Sequence, residues 1–225
     1  MKKCPVTELK DDGNRRKAEM KGIFITMEGP DGSGKTTQIK KLEEYLTEKG
    51  YDVIITREPG GTKISEAIRG VILNRDFSEM DPVTEMLLYA SARAQLVAEV
   101  IGPAIESGKA VISDRFVDSS VVYQGIARGL GIENVYSVNS HAIREFMPDV
   151  TFLLDLPAEE GIKRKKNQKE LDRMELESLE FHKNVAEGYR KLAALDTKRI
   201  KVIDATLPID EIYGMIKSGV EQFLG

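Results

Sequence analysis

Gly29-Pro30-Asp31-Gly32-Ser33-Gly34-Lys35-Thr36-Thr37 stands directly behind Gly22 to Met27, a short apolar run of strand type. Ahead of it, Ile39, Leu42 and Leu46 recur at helical spacing, and Gly50 supplies a helix stop. Strand, then G-x-x-x-x-G-K-T, then helix is the context that separates a phosphate-binding loop from a chance match. The glycines let successive backbone N–H groups turn inward around an anion at a helix N-terminus. Lys35 is placed to reach the β- and γ-phosphates of a nucleoside triphosphate, and the Thr36 hydroxyl to ligate Mg²⁺. The stretch predicts that the chain binds such a triphosphate.

Working outward, strand-like and helix-like segments alternate. Asp52 to Thr56, Ala110 to Ser113, Thr151 to Leu156 and Ile200 to Ile203 read as four further strands. Helical spacing covers 62–74, 82–101, a region ending near Phe146-Met147-Pro148, 158–166, 172–195 and 208–223, with Gly102-Pro103 expected to kink or break the second of these. Continuous apolar strands alternating with helices predict an α/β fold of the P-loop NTPase type, a parallel five-stranded sheet with helices on both faces. Ligands of such sheets sit beyond the carboxyl ends of the strands, which gathers Arg57, Asp114, Arg115 and the phosphate loop on one rim.

The 225 residues suit one domain, and no apolar run approaches bilayer length. A net charge of −4 argues against a nucleic-acid surface, and a single cysteine, Cys4, excludes an intrachain disulfide framework. Residues 1–20 form a polar N-terminal extension without the apolar centre of a secretion signal, and 21–225 read as a single P-loop domain. The chain is expected in the cytoplasm. His141 and His182 fall in helical stretches outside every motif and are not expected to be catalytic.

Four further segments narrow the chemistry. They are Thr56-Arg57-Glu58-Pro59-Gly60-Gly61, Tyr89-Ala90-Ser91-Ala92-Arg93, Asp114 to Gly125 (with Arg115, Ser119, Ser120 and Tyr123), and Glu170-Leu171-Asp172-Arg173. Their order and spacing, together with the phosphate loop, resemble the thymidylate kinase family over about residues 22–223. The resemblance implies transfer of a phosphoryl group from ATP to dTMP with Mg²⁺, a step in dTTP synthesis, and a homodimer. It implies that Arg57 and Arg115 grip the acceptor phosphate, where a planar fork suits phosphate oxygens. It assigns Asp31 to the sugar 3′-hydroxyl and to orienting the arginine. Tyr89 stacks on thymine and Arg93 bonds a base carbonyl, although Tyr89 at helical spacing also reads as plain helix core. Ser119 and Ser120 line the base site, and Tyr123 packs on the sugar.

Asp114 ends a strand, where a carboxylate holds Mg²⁺ through water opposite Thr36 or else pairs with a neighbouring cation. The run Lys163 to Lys169 reads by composition as a solvated basic loop, whereas the resemblance makes about 163–173 a mobile lid over the phosphates. Gly32-Ser33 in the phosphate loop resembles the bacterial branch, in which lid cations supply transition-state charge. That branch often carries more lid arginines, where this chain has Lys166, Gln168 and Lys169. Arg164 is assigned to adenine and Arg173 to the transferring phosphoryl group, while Asp204-Ala205-Thr206 closes the adenine site. Rival readings are a kinase of the same fold acting on AMP, CMP or a hydroxyl acceptor, or a nucleotide-switched ATPase. No Asn-Lys-x-Asp guanine motif is present, which counts against a GTPase.

Overall fold

A computed structural model describes residues 21–165 and 171–224. Strands β1 (Ile23–Glu28), β2 (Val53–Arg57), β3 (Ala110–Asp114), β4 (Val150–Asp155) and β5 (Ile200–Asp204) form one sheet in the order β2-β3-β1-β4-β5. Every pairing is parallel, with Ile25 opposite Ile112 on one side and Val150 on the other. The strand alternation along the chain predicted this sheet. Because β3 and β4 flank β1 on opposite sides, the carboxyl end of β1 opens at the point where the strand order reverses.

Both faces of the central strands β1, β3 and β4 are buried, which is why these strands are largely apolar. Ile23, Ile25 and Met27 point to one face, against Ile39, Leu42 and Leu46 of α1 (Lys35–Glu48). Ile212, Ile216 and Val220 of α9 (Ile209–Glu221) complete that layer. Phe24 points the other way, into a cluster with Leu96, Ile101, Val111 and Phe116. Beyond it Leu153 meets Val185 and Tyr189 of α8 (Leu179–Leu195). Each large apolar side chain so buried contributes about 1.5–3 kcal/mol of transfer free energy.

Three segments depart from the helical spacing, each for a local reason. Asp81 caps α3 (Pro82–Leu96) by accepting from the N–H groups of Val83 and Thr84. The helix does not break at Gly102-Pro103 but passes through a π-type turn, Val97–Ile101, into α4 (Gly102–Glu106). Pro103 lacks an N–H, and the widened turn absorbs the missing ladder bond. The region expected to run toward Phe146 is split: α5 (Val117–Ser120) continues in π-type turns to Ala127, and α6 spans Ile132–Ile143. Gly129 and Gly131, at φ of 76° and 87°, stop the first piece. Helix α8 begins at Leu179 rather than near 172, with the Ser178 hydroxyl accepting from the Phe181 N–H at 3.1 Å. Ahead of it, the Asp172 carboxylate takes the N–H groups of Met174 and Glu175 at 2.9 and 3.0 Å and competes with helix formation. The remaining helices are α2 (Lys63–Ile72), capped by Thr62, and α7 (Ala158–Lys165). The extension 1–20 and lid residues 166–170 lie outside the described residues.

Candidate active site

The phosphate loop turns at the carboxyl end of β1 with Gly29, Gly32 and Gly34 all at positive φ. Two of these are also close-packed: a Cβ on Gly29 would stand 2.4 Å from the Leu154 carbonyl oxygen, and one on Gly32 2.8 Å from that of Gly161. The loop is thus wedged between β4 and α7. Lys35 lies buried at its base and donates to the Gly29 and Pro30 carbonyls at 3.1 and 3.2 Å. Burial, with Arg115 nearby, brings its ammonium down to about 8. The Ser33 hydroxyl is buried with no partner, an orphan that a bound phosphate oxygen would satisfy. Thr36 and Thr37 open onto a cavity of about 380 Å³.

That cavity meets a second one, of about 150 Å³, lined by Tyr89, Arg93, Ser119, Ser120 and Tyr123. Asp31, Glu58, Arg69, Arg115 and Lys165 border both. Arg115 stands at the junction because its backbone adopts φ 73°, unusual for a residue with a side chain. The Ser113 hydroxyl donates to its carbonyl at 2.7 Å, and its own N–H reaches the Met27 carbonyl at 3.0 Å. Its guanidinium donates to Gly29 O at 2.8 Å, to the Tyr189 hydroxyl at 3.0 Å and to Asp31 Oδ1 at 3.0 Å. Burial alone would raise the Asp31 carboxyl, but Arg115, Lys35 and Lys165 outweigh it and hold it well below the usual range. Asp31 is therefore an anion fixed by Arg115 at the border of the two cavities, so this carboxylate inside a phosphate loop has its own cation partner.

Arg57 borders the larger cavity, with Nη2 donating to both Glu66 oxygens at 2.9 Å. Tyr89 lines the smaller cavity and is not core. Arg93 is almost fully buried, with Nε and Nη2 on the Glu58 carboxylate and Nη2 also on Phe116 O and Ser120 Oγ. Nη1 donates to Asn139, which leaves one N–H of five for a ligand. Arg93 is thus first a buried ion pair, with one N–H left over beside the smaller cavity. Ser119 is committed as well: its hydroxyl donates to Glu28 at 2.6 Å and shares a 2.7 Å bond with Tyr189. Tyr123 carries the Arg115 guanidinium 5.4 Å above its ring and meets Tyr189 edge-on.

Asp114 and Thr36 border the same cavity, and Asp114 Oδ1 is buried without a hydrogen-bond partner. No group of three or more His, Cys, Asp or Glu able to hold a metal occurs among the described residues. A free carboxylate oxygen opposite a hydroxyl suits Mg²⁺, which takes few protein ligands and completes its shell with phosphate oxygens and water. Arg164 bridges Gly32 O at 3.2 Å and Ala205 O at 3.4 Å, on the rim where the Asp204-Ala205-Thr206 turn approaches.

Arg173 is the expected site residue that the structure does not bring to the phosphates. Its Nε donates to Ile72 O at 2.7 Å and its Nη2 to Glu85 at 2.6 Å, and the side chain is buried. Of the lid cations in the described residues, Lys165 reaches the junction, beside Arg69 and Arg115, and its Nζ lies 2.5 Å from Glu175. Glu28 and Arg69 lay outside every motif, whereas Glu58 and Lys165 stood inside quoted stretches with no role of their own. Glu28 is a carboxylate inside an apolar strand, and that mismatch was its only signal. Burial, reinforced by Asp118, pushes its carboxyl up, and it holds the Phe116 N–H at 2.7 Å and the Tyr189 hydroxyl at 2.8 Å. His141 lies exposed on α6, and His182 lines a small apolar recess with Ile162 and Leu171 behind the phosphate loop.

Comparison with known proteins agrees with this geometry. The thymidylate kinase family model matches residues 27–216. A thymidylate kinase of Thermoanaerobacter sp. (strain X514) is 54% identical over 205 residues, 91% of this chain and 100% of that protein. One from Geobacillus thermodenitrificans is 53% identical over 196 residues, 86% of this chain and 87% of that protein. The crystal structure of thymidylate kinase from Ehrlichia chaffeensis superposes with a TM-score of 0.71 at 31% identity, covering 88% of this chain and 98% of that one. A phosphate loop opening onto a second, arginine-bordered cavity, and sequence identity above one half across almost the whole fold, lead to one conclusion: this chain belongs to the thymidylate kinase family.

Proposed function

We propose that this chain transfers the γ-phosphoryl group of ATP to dTMP, with ATP on the Gly29–Thr37 loop and dTMP in the cavity beneath Tyr89. The observation that carries this reading is the shared border of the two cavities, where Arg115, Asp31 and Lys165 stand between the phosphate loop and the cavity lined by Tyr89, Arg93 and Tyr123. A phosphate monoester is already anionic near neutral pH, so no general base is needed and positioning with charge neutralisation suffices.

Lys35 neutralises the β/γ oxygens, and the backbone N–H groups of the loop cradle them. Arg57 and Arg115 hold the acceptor phosphate in line. Asp31 orients Arg115 and accepts from the sugar 3′-hydroxyl. Tyr89 covers the thymine face, Ser120 and the free Arg93 N–H face its edge, and Tyr123 fills the space a ribose 2′-hydroxyl would need. Thr36 directly and Asp114 through water would hold Mg²⁺, which when bound neutralises charge on the phosphate oxygens. Arg164 packs on adenine. Lys165 replaces Arg173 as the lid cation that serves the transferring group. Removing one such group costs about 2.7–4 kcal/mol, or 10²–10³ in rate.

Among the described residues no helix is long and apolar enough to cross a membrane. We place the enzyme in the cytoplasm, binding no nucleic acid. The homodimer expected from the family is supported by exposed Ile64 and Val71 on α2 and Val83 and Leu87 on α3, an apolar stripe at helical spacing.

ADP release from ATP and Mg²⁺ with a panel of monophosphates tests the reading. The expected order is dTMP, then dUMP, then thymidine ribonucleotide and purines far behind. A missing methyl in an apolar slot is worth about 1–3 kcal/mol, so dUMP still reacts. Equal turnover of AMP and dTMP would overturn the assignment.

A further inference from the structure

The segment 171–178 lies against the acceptor cavity, and its attachment is built from charged groups that phosphate chemistry does not require. Arg173 donates from its backbone N–H to Leu73 O at 3.2 Å and from Nε to Ile72 O at 2.7 Å. Those carbonyls end α2, where a helix leaves its last acceptors without partners and favours a cation. Its Nη2 reaches Glu85 of α3 at 2.6 Å, and Glu85 is fully buried. Glu85 also accepts from Gln124 at 2.9 Å and from Arg128 at 3.1 Å, and Arg128 in turn pairs with Glu177 at 2.5 Å. The segment is therefore fastened at two points, residues 173 and 177. Between them Met174 and Glu175 face the acceptor cavity, with Asp172 just before the first point.

Resting on the assignment of that cavity to dTMP, we infer that Arg173 is a positioning residue of the acceptor site, clasping this segment onto α2 and α3 to form one wall of the dTMP cavity. The guanidinium is spent on Ile72 O and Glu85, so moving it to a phosphoryl group would take the Nε donor from Ile72 O and leave Glu85 with only Gln124 and Arg128. Its effect passes through its neighbours: Met174 supplies apolar wall, and Glu175 holds the Lys165 ammonium at the junction of the two cavities. The family resemblance, by contrast, suggested a residue meeting charge in the transition state.

The two roles separate in binding without turnover. Calorimetry of dTMP binding in the absence of ATP should show Arg173→Lys weakened by about tenfold or more, because a lysine cannot serve Ile72 O and Glu85 together. ATP binding should stay within about twofold, and kcat should fall less than dTMP affinity does. Glu85→Gln, which keeps the volume, should give the same pattern, and melting curves check that each variant is folded. Should the Glu85 variant not fold, Arg173→Lys combined with Met174→Ala decides, with a joint loss of dTMP affinity smaller than the sum of the single losses. Unchanged dTMP affinity with kcat down about a hundredfold, or strict additivity with Met174, would overturn the inference. Wild-type protein that binds no dTMP would instead sink the functional assignment, so the two failures are distinguishable.

Discussion

Lys35 carries the largest single consequence of any side chain here. Lys35→Ala should leave the fold intact and lower kcat by about a thousandfold, since a cation on the β/γ oxygens is worth several kcal/mol. A folded variant with near-normal ADP release would exclude the loop from the mechanism. The same residue sets a pH limit. Burial and Arg115 bring its ammonium down to about 8, and only the charged form attracts the triphosphate. The protonated fraction falls as pH rises through that value, so kcat/KM for ATP should decline above about pH 8, whereas kcat should decline later because bound phosphate stabilises the charge. A profile of kcat/KM that stays flat to pH 9.5 would contradict this. Glu58→Ala tests the buried pair beside the base site. It leaves Arg93 charged and unpaired, which costs about 3–5 kcal/mol and should lower Tm by roughly 6–20 °C. A melting curve within a degree or two of wild type would show that Asn139 and Ser120 alone satisfy the guanidinium. The phosphate loop was legible because all its chemistry is contiguous. Glu58 was visible only as part of a motif, because its partner stands 35 residues away and pairing is a property of space.

At the scale of elements, α7 acts as a wall behind the phosphate loop. Gly161 leaves no room for a side chain, since a Cβ there would stand 2.6 Å from the Asp31 carbonyl oxygen. Gly161→Ala gains about 1 kcal/mol of intrinsic helix propensity, but the backbone contact costs about 1–3 kcal/mol and must push the loop outward. The expected result is ATP affinity reduced by about tenfold or more with Tm lowered by no more than about 8 °C, and fluorescence titration with an ATP analogue and a melting curve measure the two. Undiminished affinity would mean that α7 and the loop move apart without consequence. The helix and strand spans were readable wherever the spacing was regular. They failed where backbone hydrogen bonds were diverted: at Pro103, absorbed by a π-type turn, and at Asp172, whose carboxylate takes the N–H groups a helix would have used.

Across the whole molecule, the apolar stripe of α2 and α3 gives the oligomer a test. Leu87→Glu puts a charge in the middle of that stripe, away from both cavities, and should convert a homodimer to a monomer by light scattering while the protein stays folded. A wild-type protein that is already monomeric at micromolar concentration would remove the dimer from the account. The parallel sheet, the alternation of strands and helices along the chain, and the phosphate loop were determined by the sequence alone, because periodicity and the loop are local patterns whose geometry follows from neighbouring residues. Only the tertiary structure decided the rest. It sent Arg173 to Glu85 across 88 residues of chain and joined Tyr189 to Glu28 across 161, and it set Lys165 between the two cavities. A charged side chain follows the partner that burial makes available to it, and that partner is chosen by which distant elements pack together.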